Sequence, residues 1–257
     1  MPPVSKWYAA STVWKVALIL AALRSAPLGA QTAPPPQDEW PDDRPIARFF
    51  QNLAKDLRNL PSPPSLGTLA LGGGTALAVH PADDDVRHWV GHLGPSSYTN
   101  VGRDVGSVWI EGAGAVSTYA IGKLRHNNTI AHIGSDLIRG QTLNGVMTIG
   151  LKAMVDRTRP NGGHYSLPSG HSGATFTSAA ILHGHFGRKA GVPAYATAAF
   201  VAWTRIRAQQ HWLSDVALGA TIGTIAGHTV TRGHKPATLQ VTPVVSTTGL
   251  AVYFVKK

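Results

Sequence analysis

The chain has 257 residues, 43% of them hydrophobic and 14% charged, with a formal net charge of +10 and no cysteine. Disulfide stapling is therefore excluded, and the length suffices for one sizeable core without it. The hydrophobic share does not by itself demand a membrane, and the surplus of Lys and Arg suits an anionic surface or an anionic ligand, with no nucleic-acid module to accompany it.

At the start of the chain, Lys6 and Lys15 precede an apolar run from Val16 to Leu23, and small residues follow to Leu28-Gly29-Ala30. This is the layout of a secretory signal peptide over residues 1–30, cut after Ala30. The apolar run is far shorter than the ~20 residues that span a bilayer. Export, with the periplasm as destination, is therefore expected rather than a retained anchor. Residues 31–44, rich in Pro, Gln and Asp, read as a linker.

From 45 to 235 the pattern is helical. Ile46, Phe49, Phe50, Leu53 and Leu57 keep helical spacing until Pro61, Pro63 and Pro64 stop it. A second apolar segment, Leu66 to Val79, is softened by Gly72-Gly73-Gly74. Asp83-Asp84-Asp85 reads as a helix start, where carboxylates meet unpaired N–H groups. Further helices are predicted at 103–123, 133–157, 170–186, 192–206 and 212–230. Apolar segments broken by charges, Gly and Pro suit buried helices in water better than membrane spans. The tail, 236–257, is rich in Val, Thr, Tyr and Phe around Ser246-Thr247-Thr248-Gly249 and predicts a short C-terminal β-hairpin. The fold class expected is thus all-α, a helical bundle with that hairpin appended.

Three clusters carry chemistry. Lys152 and Arg159 lie about two helical turns apart, on nearly one face, and Pro160 ends the helix. A lysine point charge and a planar guanidinium converging in this way suit a phosphate. In Pro168-Ser169-Gly170-His171 the serine is a good N-cap, so its hydroxyl, free N–H groups and the positive end of a helix dipole meet. Gly170 lets an anion approach the backbone, and His171 stands beside it as a proton donor. In the third cluster Arg205 adds a cation. His211 and Asp215 sit four apart, where a carboxylate bonded to one ring nitrogen leaves the other nucleophilic. Each cluster alone is also compatible with an ordinary solvated or capped helix. The three together, in order and at these spacings, are not.

These clusters resemble the motifs of the type 2 phosphatidic acid phosphatase superfamily, which includes bacterial acid phosphatases and vanadium-dependent haloperoxidases. The resemblance implies that Lys152, Arg159, Ser169, Gly170 and Arg205 bind phosphoryl oxygens. It further implies that His211 attacks phosphorus with Asp215 holding its tautomer, and that His171 protonates the leaving oxygen. It implies no metal and no other cofactor. Thr204 stands where the family usually has Ser, with the hydroxyl kept. The activity so implied is hydrolysis of phosphomonoesters or of lipid phosphates and diphosphates through a phosphohistidine. A vanadate-dependent haloperoxidase and an inactive basic surface protein are the alternatives.

The partners expected are a phosphorylated small molecule or lipid and an anionic membrane surface touched peripherally, with no nucleic acid. The oligomeric state is not legible. Among the remaining histidines, His88 with His92 and His183 with His185 are spaced to hold a metal, but neither pair brings a clear third ligand. His164, between the first two clusters, is placed to line the mouth of the pocket.

Overall fold

The computed structural model describes residues 46–93, 96–232, 239–246 and 249–256, the last two ranges as backbone only. The expected leader and linker lie outside the described residues. Within them the body is all-α, with nine α-helices. A 3-10 turn at Ile46–Arg48 leads into α1 (Phe49–Asn59), followed by α2 (Pro63–Val79), a second 3-10 turn (His80–Ala82) and α3 (Asp83–His92). Next come α4 (Tyr98–Val105), α5 (Val108–Leu124), α6 (Asn128–Val155), α7 (Gly170–Phe186), α8 (Arg188–Arg207) and α9 (Leu213–Val230). Beyond them, β1 (Leu239–Ser246) and β2 (Gly249–Lys256) pair antiparallel, Leu239 opposite Lys256 and Ser246 opposite Gly249.

Helix starts follow the capping chemistry of the sequence. Ser62, Ser107 and Asn127 each accept the N–H of the residue three further on, opening α2, α5 and α6. Ser107 also explains why the single helix expected over 103–123 is two. Its side chain caps a new helix one residue after Gly106, so α4 ends and α5 begins there. At the other end of α6, Asp156 takes a left-handed conformation, φ 36°, and turns the chain out toward Arg159.

Helix α9 packs on α7, α2 and α6, and α7 also packs on α8 and α6. Small residues permit the closest of these approaches. A Cβ on Gly223 would lie 2.1 Å from the Gly173 carbonyl oxygen, and one on Gly219 would lie 2.4 Å from that of Ser169. Two glycines one turn apart therefore bring the backbone of α9 against the first turn of α7. One core cluster joins Val90, Ala202, Ile206 and Val216; another joins Leu143, Ile181, Ala226 and Val230. Burying a side chain the size of Leu143 or Ile181 contributes about 1.5–3 kcal/mol.

Burial is uneven. Leu71 and Leu77 on α2 are 77% exposed, Trp109 on α5 is 83% exposed and Leu124 is 80% exposed. Leu66, Leu69, Val108, Val116, Val146, Ile149 and Met154 are exposed as well. The expectation that apolar segments are buried in water therefore fails for parts of α2 and α5, where Leu71, Leu77, Trp109 and Leu124 are largely uncovered by the described residues. No helix of the described residues is long and apolar enough to cross a membrane.

Candidate active site

The last turn of α6, the segment after it, the start of α7, the end of α8 and the start of α9 bring the three clusters together. Lys152, in the last turn of α6, donates its Nζ to the Tyr165 carbonyl. Arg159 is held on both sides, with Nε on the His164 carbonyl at 2.9 Å and Nη1 on Gln210 Oε1 at 2.8 Å. Ser169 is fully buried and caps α7, where its Oγ accepts from the Ser172 N–H at 3.5 Å and the Ser172 hydroxyl at 3.1 Å. Gly170 and His171 follow directly, so their N–H groups belong to the first helical turn, which has no intrahelical acceptors. Arg205 is buried in the last turn of α8, and its Nε has no hydrogen-bond partner. A buried guanidinium N–H left unpaired is costly unless an acceptor arrives.

His211 is buried in the turn between α8 and α9, and its Nδ1 lies 2.7 Å from the Ser166 carbonyl oxygen. A carbonyl only accepts, so Nδ1 carries the proton and Nε2 keeps its lone pair. Asp215 Oδ2 stands 3.8 Å from the same Nδ1, too far for a hydrogen bond. The tautomer is thus set by a backbone carbonyl, and the carboxylate expected in that place acts one step back. Asp215 is fully buried; Oδ2 accepts from the Ser166 hydroxyl and from the Trp212 N–H at 2.9 Å, and Oδ1 accepts from Arg157 Nη1 at 2.7 Å. It therefore anchors the residue whose carbonyl orients the ring.

Arg157, Asp83 and Ser166 were not legible as site residues. Arg157 Nη2 donates to Asp83 Oδ2 at 2.8 Å, and Nη1 also reaches Ser214 Oγ at 2.8 Å. Asp83 accepts from the Ser214 N–H at 2.9 Å and from its hydroxyl at 2.6 Å. The acidic run at the start of α3 is therefore more than a helix cap, because its first member is buried and tied to α9. Arg157 also lies over the Trp212 ring, 5.3 Å from its centroid, while Trp212 Nε1 donates to the Thr158 carbonyl.

The closeness of the cations perturbs the titratable groups of the site. Burial, and then the charge of Arg159, push the Lys152 ammonium down to about 8. Burial, then Arg205 and His211, push His171 down to about 4. Burial, then Arg159 and Arg103, lower Arg205, and Arg103 on α4 is a further cation that sequence spacing did not reveal. His211 is lowered by burial against the opposing pull of Asp215, so it is neutral near pH 7. Burial alone would raise Asp215, but the His211 ring, Ser166, the Trp212 N–H and Arg157 together hold it below the ordinary carboxylate range. The result is a buried neutral imidazole beside the cations Lys152 and Arg159, with the nearest carboxylate already neutralised by Arg157.

His164 is exposed, with Nδ1 3.4 Å from Asp156 Oδ1; its backbone, rather than its ring, touches the site. His92 Nδ1 bonds the His88 carbonyl at 2.7 Å, and His183 packs edge-on against Tyr195. Neither histidine pair converges on a third ligand as a pair. His185 instead faces residues of α6.

A helical body that gathers lysine, arginine and serine around a histidine defines a class. Residues 151–238 match the model of the PAP2 superfamily, the family whose motifs the three clusters resemble. Among particular relatives, the chain is 36% identical over 92 residues to lipid A 1-phosphatase of Porphyromonas gingivalis, across 34% of this chain and 21% of that one. It is 30% identical over 80 residues to lipid A 4'-phosphatase of Helicobacter pylori, across 31% of this chain and 40% of that one. The chain thus spans well under half the length of these curated relatives. Of solved structures, Aquifex aeolicus LpxE superposes with a TM-score of 0.49 at 20% identity, over 58% of this chain and 93% of that one. A PAP2-type phosphatidylglycerolphosphate phosphatase of Bacillus subtilis gives 0.38 at 19% identity, over 74% of this chain and 94% of that one.

Proposed function

We propose that this chain is a phosphatase of lipid phosphates that works through a phosphohistidine on His211, with residues 45–235 as its catalytic domain. The observation that carries the reading is the buried Arg205 with its unpaired Nε, set near Arg159 and near His171 in the first turn of α7. The neutral His211 beside them has its lone pair on Nε2. Three cations and first-turn N–H groups can take the charge that develops on the phosphoryl oxygens, so no metal is needed for that task. Nε2 of His211 attacks phosphorus and forms the N–P bond as the P–O bond to the leaving group breaks. The leaving oxygen takes its proton from His171. Water then attacks the phosphohistidine, gives a proton back to His171, and phosphate and free His211 are regenerated.

His171 at about 4 is neutral in the free protein because burial disfavours its charge and Arg205 and His211 add to that penalty. A bound phosphate dianion offsets those charges and raises His171 toward the protonated form the first step requires. The lipid assignment rests on the relatives, which are named as lipid A phosphatases, and on the exposed apolar side chains of α2 and α5. Those side chains and the basic surface would meet an anionic membrane from its surface. The periplasmic face is the location proposed, from the expected signal peptide.

The test is hydrolysis of an aryl phosphate and of a lipid phosphate in EDTA, comparing the full chain with His211→Ala. Turnover that survives chelation and is lost in the variant is expected, together with a base-stable, acid-labile phosphoprotein trapped by rapid quench. Turnover retained by His211→Ala would remove His211 as nucleophile.

A further inference from the structure

A second cluster of chemistry-bearing side chains lies at the other end of α6 and α7 and has no part in phosphate hydrolysis. We propose that His132, Asp136 and His185 bind one divalent transition-metal ion of the zinc type, which clamps α6 to α7. His132 and Asp136 are one turn apart on α6, and His185 comes from the last turn of α7. All three are buried, and one ligand atom from each lies within 4.8 Å of the others.

The geometry is that of ligands around a common point. His132 Nε2 and His185 Nε2 lie 3.5 and 3.0 Å from the same oxygen, Asp136 Oδ2. Ligands about 2.0–2.1 Å from a tetrahedral ion are roughly 3.4 Å from each other, so both separations match the spacing of a coordination shell. The longer one is poor for a hydrogen bond. The two imidazoles meet edge to face, with centroids 5.6 Å apart and planes at 78°. The other carboxylate oxygen, Oδ1, accepts from Arg139 Nη2, while Arg139 Nη1 holds Asp56 of α1. This orients Asp136 and leaves Oδ2 turned toward the histidines, the kind of outer support that metal-bound carboxylates carry. Two imidazoles and one carboxylate suit zinc, cobalt or nickel, and do not suit magnesium or calcium.

The site is remote from the phosphate-binding residues. At 1.5 Å per residue, Asp136 is about 24 Å along α6 from Lys152, and His185 about 21 Å along α7 from His171. An ion here would therefore stabilise the bundle without entering the reaction. The competing occupant is a proton, which would leave a hydrogen-bonded His–Asp–His chain and no metal.

The experiment uses the full chain without a polyhistidine tag, freed of metal by chelation and dialysis. It is titrated with cobalt(II) chloride while visible absorption is followed, then with zinc chloride while thermal unfolding is followed. One cobalt per chain with intense tetrahedral d–d bands, displaced by zinc, is expected, along with a rise of several degrees in Tm. His132→Gln and His185→Gln should lose the bands, and the double variant His88→Ala, His92→Ala should keep them. The absence of tetrahedral bands in the unsubstituted chain would overturn the proposal, whether or not the variants fold. So would bands that vanish only in the His88, His92 variant. Turnover in EDTA should remain, because the clamp is not part of the phosphate chemistry.

Discussion

Glu111 on α5 gives the chain a pH-dependent stability that one substitution should erase. Burial pushes its carboxyl up to about 7 from an ordinary 4.5, against the opposing effect of a hydrogen bond from Ser178. Its Oε2 accepts from Ser178 Oγ at 2.6 Å and from Gln141 Nε2 at 3.3 Å, which ties α5 to α7 and α6. Because the folded value is the higher one, the native state holds the proton more tightly than the unfolded chain. The stabilisation is fully present below pH 4.5 and is lost as pH rises through about 7. A displacement of about 2.5 pH units at 1.36 kcal/mol each bounds the loss at about 3 kcal/mol. Glu111→Gln keeps an oxygen acceptor for both donors and cannot ionise. At pH 8 the variant should be the more stable by up to about 3 kcal/mol, or roughly 6–12 °C in Tm for a domain of this size. Below pH 4.5 the two should converge. Thermal melts by circular dichroism from pH 4 to 8 measure both. Parallel curves across that range would refute the assignment of a buried, protonated Glu111.

Three further outcomes follow from the site and the packing. Arg157→Met should cost about 3 kcal/mol in urea unfolding, since it leaves Asp83 and Asp215 buried without their cation, and kcat should fall with it as Ser166 and His211 lose their anchor. Lys152 is held down to about 8, so turnover should decline as pH rises through that value while Lys152→Arg stays active well above it; identical pH profiles would remove Lys152 from phosphate binding. Gly223→Ala forces a methyl within 2.1 Å of the Gly173 carbonyl oxygen, where only backbone can yield. It should destabilise by about 1–3 kcal/mol or more, whereas Gly74→Ala, which meets nothing within 4 Å, should not.

The residues that announce themselves by type and spacing could be named as candidates before any coordinates. Lys152, Arg159, Ser169, Gly170, His171, Arg205, His211 and Asp215 fall at or beside four helix ends, those of α6, α7, α8 and α9. What was hidden depends on backbone or on distant partners. The acceptor for His211 Nδ1 is a carbonyl, which every residue has, so no side-chain pattern could point to Ser166. Asp83 meets Arg157 across 74 residues and Ser214 across 131, so its local setting suggested only a helix start. His185 was paired with His183 by proximity in sequence, yet two residues apart on a helix point to different faces. Its true neighbours are on α6. The expectation of buried apolar helices failed where α2 and α5 expose theirs, because composition does not say which face a bundle leaves uncovered.

The link from Asp83 through Ser214 and Arg157 to Asp215 also bears on how the protein is made. Its members come from the start of α3, the end of the α6 segment and the first turn of α9. A ribosome must therefore deliver nearly the whole helical body before His211 has its support. Contacts of such long range form late and make folding slow. A nascent or truncated chain ending before α9 would carry Lys152, Arg159, His171 and His211 but lack Ser214 and Asp215, which anchor the His211 support. On the proposed function, hydrolytic competence would therefore wait on the synthesis of α9.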